Sequence, residues 1–327
     1  MKQLIFIIVS IIISSTSFTQ VLLEDKDGDG IVRNTIPSDD NVSLIKLNTG
    51  EQSIGFNYIS STQLKNLNKY TIREFGVKAK STEGFASVFS NNQFSPGIKF
   101  SYALTAVRIF STSTLSKFID WGGIDLSYDI NKYSLFKRDT VFKNQLYSNS
   151  FKGLNLYFNY NYLVTAGNSS INSKLLFSLK FGYSRRNNYD DLNAVTIEDR
   201  SIIIDPITST QRQIITSRTV KAGSLEEFDT YPLIFSITKL TPTDATTSSN
   251  ANKLRLGYTF YIKNLASPSL VPQQDMGIIF FLTKQKNGYR NPVFGLNLQA
   301  NDPLDNQKLN NGLQKRISIG FTTNFTL

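Results

Sequence analysis

Leu154-Asn155-Leu156-Tyr157-Phe158-Asn159-Tyr160-Asn161-Tyr162-Leu163-Val164 decides how this chain reads. Leu154, Leu156, Phe158, Tyr160 and Tyr162 fall on one side of an extended backbone, and Asn155, Tyr157, Asn159 and Asn161 fall on the other. A helix would scatter both sets around its circumference, so the stretch is a strand with one face in an apolar phase and one in a polar phase. The same period recurs upstream, where Ile98, Phe100, Tyr102, Leu104 and Ala106 oppose Lys99, Ser101, Ala103 and Thr105. Downstream, Leu175, Phe177, Leu179, Phe181 and Tyr183 oppose Lys174, Ser178, Lys180, Gly182 and Ser184. Leu254, Leu256, Tyr258, Phe260 and Ile262 oppose Lys253, Arg255, Gly257, Thr259 and Lys263. At the C-terminus Ile317, Ile319, Phe321 and Phe325 oppose Arg316, Ser318, Gly320, Thr322 and Asn324.

The apolar phase is either a sandwich core or lipid, and length separates the two. Sandwich strands usually run about 5–6 residues, whereas a tilted strand needs about 9–11 to cross a bilayer. These patterns have the second length, and their apolar faces are rich in Tyr and Phe, as expected where rings sit at a membrane interface. The fold expected is all-β, a single antiparallel up-and-down transmembrane barrel. Twelve strands are expected, near 51–61, 69–79, 82–90, 97–111, 116–131, 149–165, 171–186, 230–241, 252–263, 275–285, 290–299 and 313–327. Pairing Val42–Leu47 with 51–60 through Asn48-Thr49-Gly50 would give fourteen as the alternative. The connections 112–115, 166–170, 242–251 and 286–289 carry turn chemistry such as Gly-Asn-Ser-Ser and Lys-Asn-Gly. Those at 132–148, 187–229, 264–274 and 300–312 are mostly longer, the asymmetry expected between inner turns and outer loops. Within 187–229, Ser201–Asp205 and Gln213–Val220 read as an outward hairpin.

Composition narrows the function. The chain has 327 residues with 35 Lys+Arg, 25 Asp+Glu, no histidine and no cysteine. No imidazole base, His- or Cys-held metal, thiolate nucleophile or disulfide can be built from it. The reading is therefore not an enzyme. Met1-Lys2-Gln3, an apolar block from Leu4 to Ile13 and small polar residues up to Thr19 have the layout of a secretory signal peptide, 1–19, with the mature chain starting at Gln20. An acidic arm is expected over 20–45 and the barrel over 46–327.

The signal sequence, the barrel pattern and the terminal strand Ile317–Leu327 together resemble outer-membrane β-barrel proteins of Gram-negative bacteria, particularly Bacteroidota. The resemblance implies an outer-membrane location, contact with outer-membrane lipids and delivery by the barrel-assembly machinery. Barrels of this kind usually end in an aromatic residue; here Leu327 is last and Phe325 lies two before it.

Two features point toward chemistry. Asp25-Lys26-Asp27-Gly28-Asp29-Gly30 places carboxylates at alternate positions before a turn glycine, like the first half of a calcium loop. Asp25, Asp27 and Asp29 are thus Ca2+ candidates, although Ile36 stands where a bidentate Glu belongs; the alternative is an acidic linker. Charge is also divided: residues 24–40 carry a net −4, and the chain from 41 onward +13. Lys99, Lys174, Lys180, Lys253, Arg255 and Arg316 fall on polar strand faces, which in a barrel point into the lumen and would draw anions. The expected function is a passive channel for small, anionic solutes. Two alternatives are kept, a transporter of hydrophobic compounds, suggested by the doubly apolar strands 232–237 and 277–282, and a non-conducting barrel in a secretion or surface complex. The opposite charges of arm and barrel further suggest that the arm folds back into the lumen. Nucleic-acid binding is not indicated, because the basic residues are dispersed over alternating strands.

Overall fold

The computed structural model describes residues 21–25, 29–34, 42–49, 51–63, 69–80, 97–111, 117–141, 144–166, 172–204, 211–243, 254–286, 289–306 and 312–326. Apart from a turn of 3-10 helix, Tyr189–Asp191, and one helical turn, Leu313–Arg316, the regular structure among them is strand: β1 (Val21–Glu24), β2 (Gly30–Asn34), β3 (Val42–Asn48), β4 (Ser53–Gln63), β5 (Lys69–Lys80), β6 (Gly97–Ser111), β7 (Lys117–Phe136), β8 (Leu146–Ala166), β9 (Asn172–Asn187), β10 (Asn193–Ile204), β11 (Gln211–Ala222), β12 (Glu227–Thr243), β13 (Leu254–Ala266), β14 (Gln273–Lys286), β15 (Tyr289–Ala300) and β16 (Ile317–Thr326).

Twelve of these close into one antiparallel barrel in the order β3-β4-β5-β6-β7-β8-β9-β12-β13-β14-β15-β16, with β16 returning to β3. The strand count matches the sequence expectation, but its membership differs. The wall begins at Val42, ahead of the boundary read at 46, and β3 pairs with β4 as in the fourteen-strand alternative. The expected strand at 82–90 lies outside the described residues. The barrel closes without it, because β5 pairs directly with β6 from Lys69–Arg108 to Lys80–Gly97. β1 and β2 form a separate antiparallel hairpin. β10 and β11 form a ribbon attached to the wall only where Lys221 and Ala222 run parallel to Leu135 and Phe136.

Alternation sorts the side chains as the sequence indicates. Phe56, Phe75, Phe100, Leu104, Ile124, Leu126, Leu154, Phe158, Phe181, Leu233, Phe235, Leu256 and Phe260 all lie exposed on the outer face. So continuous an apolar belt around a closed wall is what a lipid phase requires and water opposes. The opposite faces are buried: Asn155, Asn159 and Asn161 on β8, Ser236 and Thr238 on β12, and Asn297 and Gln299 on β15. An eight-strand barrel is filled by its own side chains, whereas twelve strands leave room for more. Here that room holds the β1–β2 hairpin.

Candidate functional site

The site is the barrel interior where the hairpin meets the wall. Ile31 of β2 is 2% exposed and belongs to one buried cluster with Leu44, Ile72, Val107, Trp121, Leu176, Ile234, Tyr261, Ile279 and Phe281, which come from strands all around the wall. The inward residues of the two doubly apolar strands, Ile234, Ile279 and Phe281, therefore share that cluster with the hairpin. Trp121 is 1% exposed among them. Aromatic rings lie over glycines nearby: Tyr261 covers Gly277, and Phe281 covers Gly257, so a Cβ at either glycine would collide with a ring. Tyr261 also donates a hydrogen bond shared between Asn297 Oδ1 at 3.2 Å and Gln299 Oε1 at 2.9 Å.

The turn of the hairpin is held by charge. Asp25 and Asp29 close it on themselves, with Asp25 N–H donating to the Asp29 carbonyl and Asp29 N–H to Asp25 Oδ1, both at 2.9 Å. Their carboxylates converge on Lys263 of β13, whose Nζ lies 2.7 Å from Asp25 Oδ2 and 2.7 Å from Asp29 Oδ2. The side chains of Lys263 and Asp25 are both 0% exposed. Arg186 of β9 reaches Asp29 at 2.6 Å, and Lys180 donates to the Gly30 carbonyl at 3.1 Å. On the other flank Lys78 of β5 bridges Glu24 at 3.0 Å and Glu51 at 2.7 Å, while Asn48 donates to Glu24 and to the Asp25 carbonyl.

Burial raises the pKa of Asp29, but the fields of Lys263, Arg186, Lys180 and Lys99 outweigh it and hold the group well below its ordinary 3.8. Glu51, in the turn between β3 and β4, is likewise pushed up by burial and drawn down further by Lys78, Lys80 and Lys99, with a net lowering. Both stay ionised at neutral pH.

The basic residues singled out from sequence divide. Lys180 lies at the hairpin, 3.9 Å from Asp125 and over the Tyr157 ring at 4.1 Å. Lys99 faces the lumen and sits 4.0 Å from Asp129. Lys253 and the side chains of Lys174 and Arg255 lie outside the described residues. Arg316 ends a helical turn ahead of β16, where its guanidinium donates to the Asp302 backbone carbonyl and pairs with the Asp305 carboxylate at 3.3 Å. Lys46, Lys78, Lys263 and Arg186 were not picked out from sequence, although Lys263 had been placed on a polar strand face.

The calcium reading meets a poor fit. The Lys263 ammonium stands between the two carboxylates, where a cation would have to sit, and Arg186 takes Asp29 as well. Asp27 lies outside the described residues, among which no cluster of three acidic side chains is arranged to hold a metal.

Above the hairpin turn, a cavity of about 540 Å³ opens among Asp29, Lys99, Asp129, Arg186, Tyr189 and Lys221. Tyr189 lines this cavity and stacks on Tyr133 with ring centroids 4.1 Å apart. Sequence reading also missed a polar group on the outer face: Arg108 pairs with Asp120 at 2.5 Å, and Tyr160 donates to the same carboxylate at 3.1 Å.

No protein-family model matches the sequence, and no curated protein matches it. Among solved structures, a chain of the RagAB peptide importer in its closed-closed state aligns at 10% identity and a TM-score of 0.23, over 76% of this chain and 35% of the other. The present chain thus spans about a third of the length of that one.

Proposed function

We propose that this protein is an outer-membrane barrel forming a path for small, anionic solutes, and that its own N-terminal hairpin stoppers the path. The observation that carries the reading is the buried contact of Lys263 with Asp25 and Asp29, which fastens the hairpin across the lumen. A standing open pore would keep water along its axis; here the axis is occupied by backbone, an apolar cluster and paired charges. Location in the outer membrane is supported by the apolar belt and by the signal-like N-terminus. A preference for anions is supported by what the hairpin covers: without it, Lys263, Arg186, Lys180 and Lys78 lose carboxylate or carbonyl partners and face the passage. Nothing in a chain without histidine or cysteine supports a catalytic role.

The test is conductance in planar bilayers under a KCl gradient, comparing the full chain with a variant lacking residues 20–40. The full chain should remain closed, and the deletion should give discrete steps with an anion-selective reversal potential. Equal steady conductance from both would overturn the stopper. Silence from a correctly folded deletion variant would overturn the path itself and favour a barrel that serves as an interaction surface.

A further inference from the structure

At one end of the wall the outer face of β5, β6, β7 and β8 departs from the apolar belt. In the antiparallel register Lys69, Arg108, Asp120 and Tyr162 form one row across these strands. Thr71, Ala106, Gly122 and Tyr160 form the next row on the same face. Arg73, Leu104, Ile124 and Phe158 form the third, where the belt begins.

The charged row is built in two layers. The Asp120 side chain is 5% exposed, whereas that of Arg108 is 53% exposed. Nε and Nη2 of Arg108 donate to the carboxylate at 3.1 and 2.5 Å, and the Tyr160 hydroxyl donates to it at 3.1 Å. The buried acid therefore fixes the plane of the guanidinium, and the guanidinium is what the surroundings meet. Lys69, exposed, stands directly opposite Arg108 at a backbone separation of about 5 Å. With exposed Arg73, three cations share this sector with the one carboxylate, among the described residues. Between the charged row and the belt the surface is recessed. Thr71, Ala106 and Gly122 are small, and the Tyr160 ring closes the recess on one side, 3.6 Å from where a Cβ of Gly122 would stand.

The order of charge, recess and belt is that of a phospholipid: phosphate, glycerol, acyl chains. The depth agrees, because cations on a lipid-facing wall cost least near the membrane interfaces. The topology identifies which interface. β3 begins and β16 finishes at this end, and the connection from Ser111 to Lys117 is short, so it is the inner, periplasmic side in the outer-membrane reading. A second copy is a poor occupant, since a two-fold contact centred here would set the cations against their own counterparts.

We infer that this sector seats an anionic phospholipid of the inner leaflet. Arg108, held by Asp120 and Tyr160, takes the phosphate together with Lys69; the recess takes the glycerol, and the chains lie along Leu104 and Ile124. The surplus of positive charge selects an anionic headgroup over a zwitterionic one. This rests on the membrane reading of the barrel.

The chain lacks cysteine, so a single introduced thiol labels cleanly. A fluorophore at Thr62→Cys, an exposed position of β4 paired with Thr71, reports on the seat. One at Leu256→Cys on β13 reports on a control at the same end of the wall, exposed Lys239 of β12, which stands between Leu175 and Tyr258. Folded variants are reconstituted in phosphatidylcholine vesicles containing a minor share of phosphatidylglycerol, with acyl bromine on one lipid or the other. Mole for mole, phosphatidylglycerol should quench the Thr62 label about fivefold more than phosphatidylcholine does, and the Leu256 label less than about twofold more. Arg108→Gln with Asp120→Asn removes the placed guanidinium but not the net charge, which is three cations less one carboxylate before and two cations after. It should bring the Thr62 ratio down to the Leu256 value. An unchanged ratio in that double variant, or equal ratios at the two labels in the otherwise native chain, overturns the seat and leaves the barrel reading intact. A preference abolished by soluble inorganic phosphate overturns the lipid as occupant and leaves a free phosphate in its place. Shielding of the Thr62 label that grows with protein density, without lipid preference, also overturns it and points to a second copy. Absence of quenching at both labels by either lipid overturns the membrane reading beneath it.

Discussion

Replacing Lys263 with Met keeps an unbranched side chain, one heavy atom shorter, and removes its charge. In the native protein this ammonium is fully buried 2.7 Å from two carboxylates, one of which, on Asp25, is itself 0% exposed. Removing one partner of a buried ion pair strands the other charge and costs about 3–5 kcal/mol. Asp29 keeps Arg186 at 2.6 Å, so the lower end applies. A loss of about 3 kcal/mol falls on the docked hairpin and raises the undocked population on the order of 100-fold. The reporter is Ile31→Cys, a single thiol at a site 2% exposed when the hairpin is docked. Its rate of modification by a membrane-impermeant maleimide follows the undocked fraction. The Lys263→Met background should speed labelling by about that factor, while unheated gel mobility shows that the barrel remains folded. Adding Asp25→Asn should recover part of the loss, because the stranded charge is then gone. Unchanged labelling in Lys263→Met would refute the claim that this contact holds the hairpin.

Three further outcomes are expected. Docking should respond to acid in one direction: Asp29 has its pKa lowered below 3.8 when docked and regains it when released, so its stabilisation is present above that value and lost as pH falls below it. Conductance should therefore stay closed from pH 8 to 5, with openings appearing only below about pH 4; opening near pH 6 would contradict the assignment. Phe158→Arg puts a charge on the outer belt, where Phe158 now stacks on Phe181 at 5.6 Å, and should destabilise the barrel by about 2–4 kcal/mol in urea titrations in vesicles. Trp121, the single tryptophan, is buried in the cluster that includes Ile31, so deleting residues 20–40 should shift its emission to the red; an unshifted spectrum would mean that the hairpin does not seal that cluster.

The wall was legible because its determinants are local. In Leu154 to Val164 the three asparagines mark the inward face, and burial follows the same alternation. What was not legible depended on distant partners. Val42–Asn48 is short, and its place in the barrel is fixed by β16 at the far end of the chain, whereas 82–90 has an equally plausible local pattern. Asp25 and Asp29 have the spacing of a calcium loop because carboxylates that converge on one cation look alike in sequence, whether the cation is a metal or a lysine ammonium 238 residues away. Arg316 is in phase with the strand that follows it, but it ends a helical turn and is held by the Asp302 backbone carbonyl and the Asp305 carboxylate. The Arg108–Asp120 pair did leave a trace, since Arg108 continues the outward set Ile98 to Ala106 with a charge. Residues that break an apolar face near a strand end are worth reading as a group across neighbouring strands.

The meeting of β3 and β16 has a mechanical side. β7 and β8 pair along the whole of β7, whereas among the described residues the first and last strands join over 44–48 and 322–326, with Thr49 adding backbone and hydroxyl bonds to Phe321. A wall under tension parts at its shortest stitch. Asn48, the last residue of β3, is also tied to Glu24 and Asp25 of the hairpin. Withdrawing the stopper would therefore take away the two hydrogen bonds that Asn48 donates to the hairpin, at one end of the seam on which closure of the whole wall depends.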